Sequence, residues 1–391
     1  MHGLDEAQTL YEQLVAWRRD FHRYPEVGLA LNRTAEKIAR ALREMGYAVQ
    51  EGIATTGVVG LLENGSGPTV MVRADMDALP IQEETGLPYA SQNPGTMHAC
   101  GHDAHMAIGL GVAELMMRTR DTWQGTLKLV FQPGEEGLNG AAIMVQEGVL
   151  ENPRPDYVLV LHVWSDLATG TVSATPGPVM AAAESWQAVI TGKGGHAAHP
   201  EETVDSIVTA AMIVTALQTI VSRNVGAEEA AVVTVSIVQG GEAFNIIPDQ
   251  TLLKGTIRTY NPTVRETVLQ RLHQIVESTA QMMGARAEVT VEELGPALVN
   301  DPAATAIVHA AIREVLGASA LDTGLRTMAS EDAAYFLREI PGCYFFVGCT
   351  PEDQPPTPHH NPHFMVNEAA LPVGLGVMMA ALRKLMPPEG A

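Results

Sequence analysis

The chain has 391 residues, with 24 basic and 45 acidic side chains and a formal net charge of −21. A surface this acidic repels phosphate backbones and anionic lipids, so the composition argues against nucleic acid and membranes as partners. Hydrophobic residues make up 46% of the chain, and its length favours two domains over a single core.

Cysteine content and the N-terminal segment indicate the compartment. Cys100, Cys343 and Cys349 form too sparse a set for a disulfide framework, and the last two lie on an apolar strand as expected core residues. The opening stretch, MHGLDEAQTLYEQLVAW, lacks the basic start and apolar run of a signal peptide. No apolar stretch reaches about 18 residues, so we expect no membrane span and a cytoplasmic protein.

The first part of the chain alternates between helical and strand patterns. The predicted helices cover 6–23, 33–46, 103–118 and 140–150, and the predicted strands cover 57–63, 69–75, 126–132 and 156–164. This alternation predicts an α/β layer with a largely buried sheet, in which functional residues belong at the carboxyl ends of the strands. Polar residues lie at those ends, namely Asp75, Asp77, Glu135, Glu136 and His162.

The pattern changes near residue 184. Strand, helix, strand, strand, helix and strand then follow in order, which is typical of a ferredoxin-like α+β sandwich of about 110 residues. After about residue 296, a helix over 303–316 and a strand over 343–348 resume the α/β pattern of the first part of the chain. We therefore predict an α/β domain formed by 1–183 and 296–391, with a smaller α+β domain inserted at 184–295.

The stretch MHACGHDAHMA suggests a chemical site. Cys100 and His102 are separated by one glycine in a loop that enters a helix, so both can face one point as metal ligands. A buried cysteine beside helix-capping polar residues is the plain alternative. A cysteine nucleophile with a histidine base is a third, although adjacent chain positions rarely form that hydrogen bond.

The glutamates of GEEG follow an apolar strand. They are either solvated loop carboxylates, or one binds a metal while the other, as a general base, exchanges protons with a metal-activated water. Whether Glu135 or Glu136 takes either role does not follow from this pattern.

Histidines complete a mixed donor set. His162 ends a strand, LVLHVW, and is either a satisfied core residue or a ligand, while His359, His360 and His363 lie in TPHHNPHF near the C-terminus. Sulfur, imidazole and carboxylate donors together suit zinc, manganese, cobalt or nickel.

These motifs occur in an order that resembles a known family. RRDFHRYPEVG, RADMDALPI, MHACGHDAHMA, PGEEG, LHVW, GKGGHAAHP, FNIIPD, GTIRTY, SEDAAYF and HHNPHF follow one another as in the di-metal aminoacylase/carboxypeptidase family of metallopeptidases. The nearest branch is that of hippurate hydrolases, N-acyl-amino-acid amidohydrolases and indole-acetyl-amino-acid hydrolases. The resemblance covers nearly the whole chain, and CGHDAHM followed by PGEEG is its most specific part.

The resemblance implies a zinc-peptidase-like catalytic domain with a mixed sheet flanked by helices. It also implies an inserted ferredoxin-like domain that serves as a dimerisation and lid domain. A homodimer or higher homo-oligomer is expected on the same basis.

The resemblance also implies roles for residues of the larger domain. Glu135 would be the general base. Two divalent metal ions, each zinc, manganese, cobalt or nickel, would be bound by Cys100 as a bridging thiolate and by His102, Glu136, His162 and His360. Relatives outside this branch use a bridging aspartate, so Asp75, Asp77, Asp103 and Glu331 are expected to support the ligands rather than bind metal.

The inserted domain would contribute substrate contacts. By the same resemblance, His196 would stabilise the oxyanion from the partner subunit, and Asn245 and Arg258 would hold the substrate carboxylate. His199 precedes the proline of GKGGHAAHP, whereas relatives often have a histidine after it, so His199 receives no role.

The implied reaction is hydrolysis of the amide bond of a small N-acyl amino acid. A metallo-carboxypeptidase acting on short peptides and a cysteine hydrolase using Cys100 are the enzymatic alternatives, and a non-enzymatic binding protein is the third. Aromatic residues are only 5% of the chain and do not name an acyl pocket.

Overall fold

A computed structural model describes residues 2–351, 355–388 and 390 of the chain. The Cα positions divide into a large unit, Met1–Gly177, Val299–Arg326 and Asp332–Ala391, and an inserted unit, Pro178–Leu298 with Thr327–Glu331.

Helices and strands alternate along both units. The helices are α1 (His2–Gln8), α2 (Tyr11–Arg23), α3 (Asn32–Glu44), α4 (His102–Arg118), α5 (Glu135–Leu138), α6 (Gly140–Gln146), α7 (Ser206–Asn224), α8 (Pro262–Met282), α9 (Pro302–Leu316), α10 (Ala334–Glu339) and α11 (Ala370–Leu385). The strands are β1 (Ala48–Ile53), β2 (Gly57–Asn64), β3 (Thr69–Asp75), β4 (Gly125–Gln132), β5 (Tyr157–Ala168), β6 (Val172–Ser173), β7 (Gly177–Met180), β8 (Ala182–Thr191), β9 (Gly195–His196), β10 (Ala231–Gln239), β11 (Ile246–Ile247), β12 (Gln250–Thr259), β13 (Arg286–Gly295), β14 (Leu298–Asn300), β15 (Leu321–Asp322) and β16 (Gly342–Thr350).

The large unit is built on a mixed sheet with the strand order β1-β2-β4-β3-β5-β16-β6-β15. Strands β4, β3, β5 and β16 run parallel to their neighbours in that run, so their carboxyl ends meet at one edge. Every residue of β3 and β16 is buried, because helices cover both faces of a parallel sheet. The predicted α/β class with a mixed, helix-flanked sheet is confirmed.

Helices α4 and α11 pack in the core of the large unit. Both are apolar around most of their circumference, as expected of helices without a solvent face. Gly109 lets α4 approach the sheet closely, because a Cβ there would lie 2.9 Å from a ring carbon of Phe131.

Two helices and one strand illustrate where the structure differs from the sequence prediction. The helix predicted over 6–23 is interrupted between α1 and α2, where Leu10 has a non-helical ψ of 4° and its N–H donates to the Ala7 carbonyl, three residues back, at 3.1 Å. The helix predicted over 140–150 ends at Gln146, followed by Gly148 in the left-handed region at φ 86°. Strand β1 was missed because its exposed edge position lacks apolar alternation.

The inserted unit has a four-stranded antiparallel sheet with the order β10-β12-β8-β13. Helices α7 and α8 cover one face, where residues such as Trp186, Ile213 and Leu272 form the core. This is the ferredoxin-like order that the sequence predicts. The dimerisation and lid roles of this unit stay predictions.

Helix α7 meets the length and hydropathy of a membrane span, in contrast to the sequence expectation. The helix has 19 residues, and 18 consecutive residues within it have a mean hydropathy of 1.4. A core helix of a globular unit passes the same test, and Ala210, Ile213 and Leu217 of α7 pack in the core of the inserted unit.

Candidate metal centre and active site

The candidate site lies at the edge where the parallel strands of the large unit end. Asp75 ends β3, Glu135 and Glu136 follow β4, and His162 lies on β5. Helix α4 begins at His102, just after Cys100. The topology therefore brings together residues that are far apart in the chain.

The five predicted metal ligands come together at this edge. Ligand atoms of Cys100, His102 and Glu136 all lie within 4.8 Å of one another. Nε2 of His162 lies 3.5 Å from the Cys100 sulfur, and Nε2 of His360 lies 3.1 Å from a Glu136 carboxylate oxygen. One sulfur, three imidazoles and a carboxylate thus face a common centre, while their assignment as ligands stays a prediction.

Hydrogen bonds to carbonyl oxygens orient two of the imidazoles for metal binding. Nδ1 of His102 donates to the Asp77 carbonyl at 2.7 Å, and Nδ1 of His162 donates to the Val163 carbonyl at 2.6 Å. A carbonyl oxygen only accepts, so in both neutral rings the lone pair lies on Nε2. Nε2 of His102 is buried and has no hydrogen-bond partner among the described residues. The donor set therefore fits a divalent metal ion.

His360 adopts an uncommon backbone conformation beside this centre. Its φ is 60°, in the left-handed region, and its backbone N–H donates to the Ala99 carbonyl at 2.9 Å. Non-glycine residues in this region concentrate at functional sites. Hydrogen bonding to Cys100 and Glu136 raises the pKa of His360 to about 10, so this corner of the site favours positive charge.

Asp77 fixes the turn that carries both glutamates. Its two carboxylate oxygens accept the backbone N–H groups of Glu135 and Glu136, each at 3.0 Å. Gly134 precedes the turn at φ 69°, and a Cβ there would lie 2.4 Å from a Leu29 methyl group. Asp77 therefore positions the predicted base and a predicted ligand through the main chain.

Asp75 is held by His105 and Arg73. Nδ1 of His105 donates to one Asp75 oxygen at 2.6 Å, while Nε2 of His105 accepts the Val163 N–H at 2.9 Å. Both His105 nitrogens are used within the protein, so His105 does not qualify as a ligand. Burial opposes ionisation of Asp75, but His102, Arg73 and His105 hold its pKa well below the ordinary range.

Sequence reasoning missed the buried network beneath the site. The Arg73 guanidinium donates to Gln132 at 2.7 Å, to Asp75 at 2.7 Å and to Asp332 at 3.1 Å. Asp332 also accepts the backbone N–H of Ala141 at 2.9 Å. The available signal was a charged residue inside TVMVRAD, a strand that is otherwise apolar between its first threonine and its final aspartate.

Replacing Arg73 with methionine is expected to lower the free energy of unfolding by about 3–5 kcal/mol, because it leaves buried carboxylates without their cation. The measurement is urea unfolding of the metal-free protein. Arg118→Met is the control, since the Arg118 side chain is 55% exposed and its pair with Glu114 contributes about 1 kcal/mol or less. Equal losses in the two variants would contradict the role of the network.

The neighbouring histidines occupy different positions from His360. Nε2 of His359 accepts the Ser165 N–H at 3.2 Å, and its Nδ1 lies 3.8 Å from the Cys100 sulfur. Burial lowers the pKa of His359 to about 3. His363 is exposed, and its Nδ1 donates to the Glu84 carbonyl at 3.0 Å.

The remaining candidates lie in the inserted unit. His196 on β9 pairs with Ile246 on β11, and the backbone carbonyl of Asn245 accepts the Ala197 N–H at 3.1 Å, so His196 and Asn245 are neighbours. Both are exposed. Arg258 lies on β12 in the four-stranded sheet and donates to the Ile257 carbonyl at 3.1 Å.

The same geometry bears on the cysteine-nucleophile alternative. The Cys100 sulfur lies within reach of His162 Nε2, as a nucleophile and its base would. Such a pair works as thiolate and imidazolium. Burial raises the pKa of Cys100 and lowers the pKa of His162, so both groups are pushed toward their neutral forms.

Comparisons with known proteins give consistent results. Residues 71–384 match the model of peptidase family M20/M25/M40. The chain is 40% identical over 364 residues to the N-acetyl-L-cysteine deacetylase of Bacillus subtilis, covering 93% of this chain and 86% of the relative. It is 38% identical over 376 residues to IAA-amino acid hydrolase ILR1-like 4 of Arabidopsis thaliana, covering 95% and 85% of the two chains.

A solved structure extends this similarity to the fold. The YXEP protein of Bacillus subtilis, described as a dinuclear metal-binding peptidase of the M20 family, superposes with a TM-score of 0.85 at 32% identity. The match covers 97% of this chain and 99% of that protein.

Proposed function

Because the chain belongs to peptidase family M20/M25/M40, we propose that it is a metal-dependent amidohydrolase that cleaves the amide bond of N-acyl amino acids. The observation that carries the proposal is the convergence of Cys100, His102 and Glu136. Glu135 directly precedes Glu136, and Asp77 holds the turn on which both glutamates lie. The deacetylase and the IAA-amino acid hydrolase, both similar over nearly the whole chain, support an acylated amino acid as the substrate class.

Two divalent metal ions are the cofactors of the proposed enzyme. Cys100, His102, Glu136, His162 and His360 would hold them. When bound, such ions lower the pKa of a water molecule and polarise the carbonyl oxygen of the substrate. Zinc, manganese, cobalt and nickel all accept this mixture of sulfur, nitrogen and oxygen donors.

Glu135 moves the proton in the proposed reaction. Its carboxylate takes a proton as water oxygen bonds to the amide carbon, and it delivers that proton to the nitrogen as the carbon–nitrogen bond breaks. The products are a carboxylate and a free amino acid. Glu135 is partly exposed on the turn after β4, so it is accessible to substrate.

His196 is suited to stabilise the oxyanion. Its Nδ1 accepts the Ala198 N–H at 3.1 Å, so in the neutral ring the hydrogen lies on Nε2. An Nε2–H donor aimed at a developing oxyanion contributes about 3–4 kcal/mol in comparable enzymes. Asn245 and Arg258 would bind the free carboxylate of the substrate, Arg258 through a bidentate pair.

Masking the substrate carboxylate tests this function. We expect methyl esters of the N-acyl amino acids to be cleaved about 10–100-fold less efficiently, in kcat/KM, than the free acids, because a charge-assisted hydrogen bond of about 1.5–3 kcal/mol is lost. The measurement is amide cleavage across a panel of acyl groups. In Arg258→Met the preference for the free acid should disappear, whereas Arg286→Met, an exposed arginine of the same unit, should keep it.

Two results would distinguish an error in the role of Arg258 from an error in the proposed reaction. Equal cleavage of acids and esters by the wild type would remove the role given to Arg258 but leave the reaction standing. No cleavage of any N-acyl amino acid, with efficient cleavage of dipeptides, would favour the metallo-carboxypeptidase instead.

A further inference from the structure

We propose that Arg18 is a positioning residue that holds the two metal-ligand segments of the large unit at a fixed separation. The inference rests on the proposed function in one respect, the assignment of His102 and His360 as ligands. The first segment is 97–103, which contains Cys100 and His102, and the second is 359–368, which contains His360.

Arg18 contacts the first segment through Asp103. Arg18 lies on α2 and is 1% exposed. Its Nε donates to an Asp103 carboxylate oxygen at 3.0 Å, and Asp103 directly follows His102 in the first turn of α4. A shift of Asp103 therefore moves the backbone that carries the His102 ring.

The same guanidinium contacts the second segment. Its NH1 donates to the Val366 carbonyl at 3.3 Å and to the Glu368 carboxylate at 3.1 Å. Arg18 and Val366 are 348 positions apart in the chain. One planar group thus joins the backbone that follows His360 to the carboxylate that follows His102.

A second route joins the segments through the loop 83–91. Nδ1 of His22 contacts Asp103 at 2.8 Å, and its Nε2 contacts Glu83 at 3.2 Å. The backbone N–H of Glu84 donates to the Pro362 carbonyl at 2.9 Å, which returns to the second segment. Tyr89 of this loop accepts from Arg18 at 3.3 Å. The contacts form a closed ring that links the two ligand segments.

The chemistry of this ring favours positioning over stability. Replacing both members of a buried ion pair with apolar groups of similar volume is often neutral, because desolvation offsets the attraction, whereas removing Arg18 alone leaves the buried Asp103 carboxylate without one of its donors. Arginine alone offers a rigid fork of donors that can hold several acceptors in a fixed geometry. Partners that orient metal ligands typically account for about 10–100-fold in metal affinity.

The test compares metal affinity with folding stability in Arg18→Lys and Arg18→Met. Zinc and cobalt dissociation constants are measured by competition with a chromophoric chelator, and the metal-free proteins are unfolded in urea. We expect affinity for at least one metal ion to fall about 10–100-fold in both variants. Lysine keeps the charge but lacks the fork, so it should not rescue binding.

Lys128→Met is the matched control. Lys128 is also buried, at 2% exposed, and its Nζ donates to the carbonyls of Glu151 and Pro153 at 2.8 and 2.9 Å, outside both ligand segments. This variant should bind metal as the wild type does, even if its unfolding free energy falls. Folded Arg18 variants with wild-type metal affinity would overturn the inference.

A double variant tests the inference if neither Arg18 variant folds. If neither Arg18 variant folds, Glu368→Gln with Tyr89→Phe, which alters the partly exposed side of the ring, should still weaken metal binding, and unchanged binding would overturn the inference. A wild type that binds no metal would instead remove the proposed function, because this measurement needs no substrate.

Discussion

Glu135→Gln is expected to lower kcat by about 10²–10⁴-fold while both metal ions stay bound, because glutamine has the same shape but cannot take a proton. Its backbone N–H still donates to Asp77, so the turn is retained. The measurements are hydrolysis of N-acyl amino acids and metal content of the same sample.

The adjacent glutamate supplies the control. Glu136→Gln should lose metal as well as activity, because Glu136 is proposed to coordinate an ion and its carboxylate lies 3.1 Å from His360. Metal loss in Glu135→Gln with retention in Glu136→Gln would show that the two roles are reversed. Full activity in Glu135→Gln would remove the general base from the mechanism.

Stripping the protein of metal with a chelator is expected to abolish hydrolysis, and adding back zinc, manganese, cobalt or nickel is expected to restore it. The reason is that the proposed reaction needs the metal ions to lower the pKa of the water and to polarise the carbonyl oxygen. The measurement is activity against metal stoichiometry for each ion.

Thiol chemistry distinguishes the cysteine-hydrolase alternative in the same experiment. Bound metal should protect Cys100 from alkylation, since the thiolate would be a ligand. Cys343→Ala is the control variant, because Cys343 is fully buried on β16 and should affect neither metal binding nor activity. Activity that survives stripping and is lost on alkylation of Cys100 would establish the cysteine as the nucleophile.

Motif order was the most informative property of the sequence. The family inferred from CGHDAHM, PGEEG and the accompanying motifs is confirmed by the match over residues 71–384. The α/β class and the ferredoxin-like strand order were also predictable, because buried parallel strands and amphipathic elements have distinct hydrophobic periods. The roles of the individual site residues stay predictions that the experiments above address.

The hydrogen-bond partners of individual residues could not be predicted from the sequence. The break between α1 and α2 lies at Leu10, whose N–H bonds the Ala7 carbonyl three residues back. His105 and His102 look equivalent in CGHDAH, and only the structure shows that His105 has both nitrogens occupied. A sequence pattern lists the donors available in a segment but not their partners.

The sequence alone determined the fold class, the family and the types of donor atom, because these depend on hydrophobic period and on residues close together in the chain. The tertiary structure decided which donors face one another and what holds them. Arg73 contacts Asp332 and Arg18 contacts Val366, although each pair is separated by most of the chain length. Burying a guanidinium group carries a desolvation cost, and in both cases partners from distant segments offset that cost only once the chain has folded.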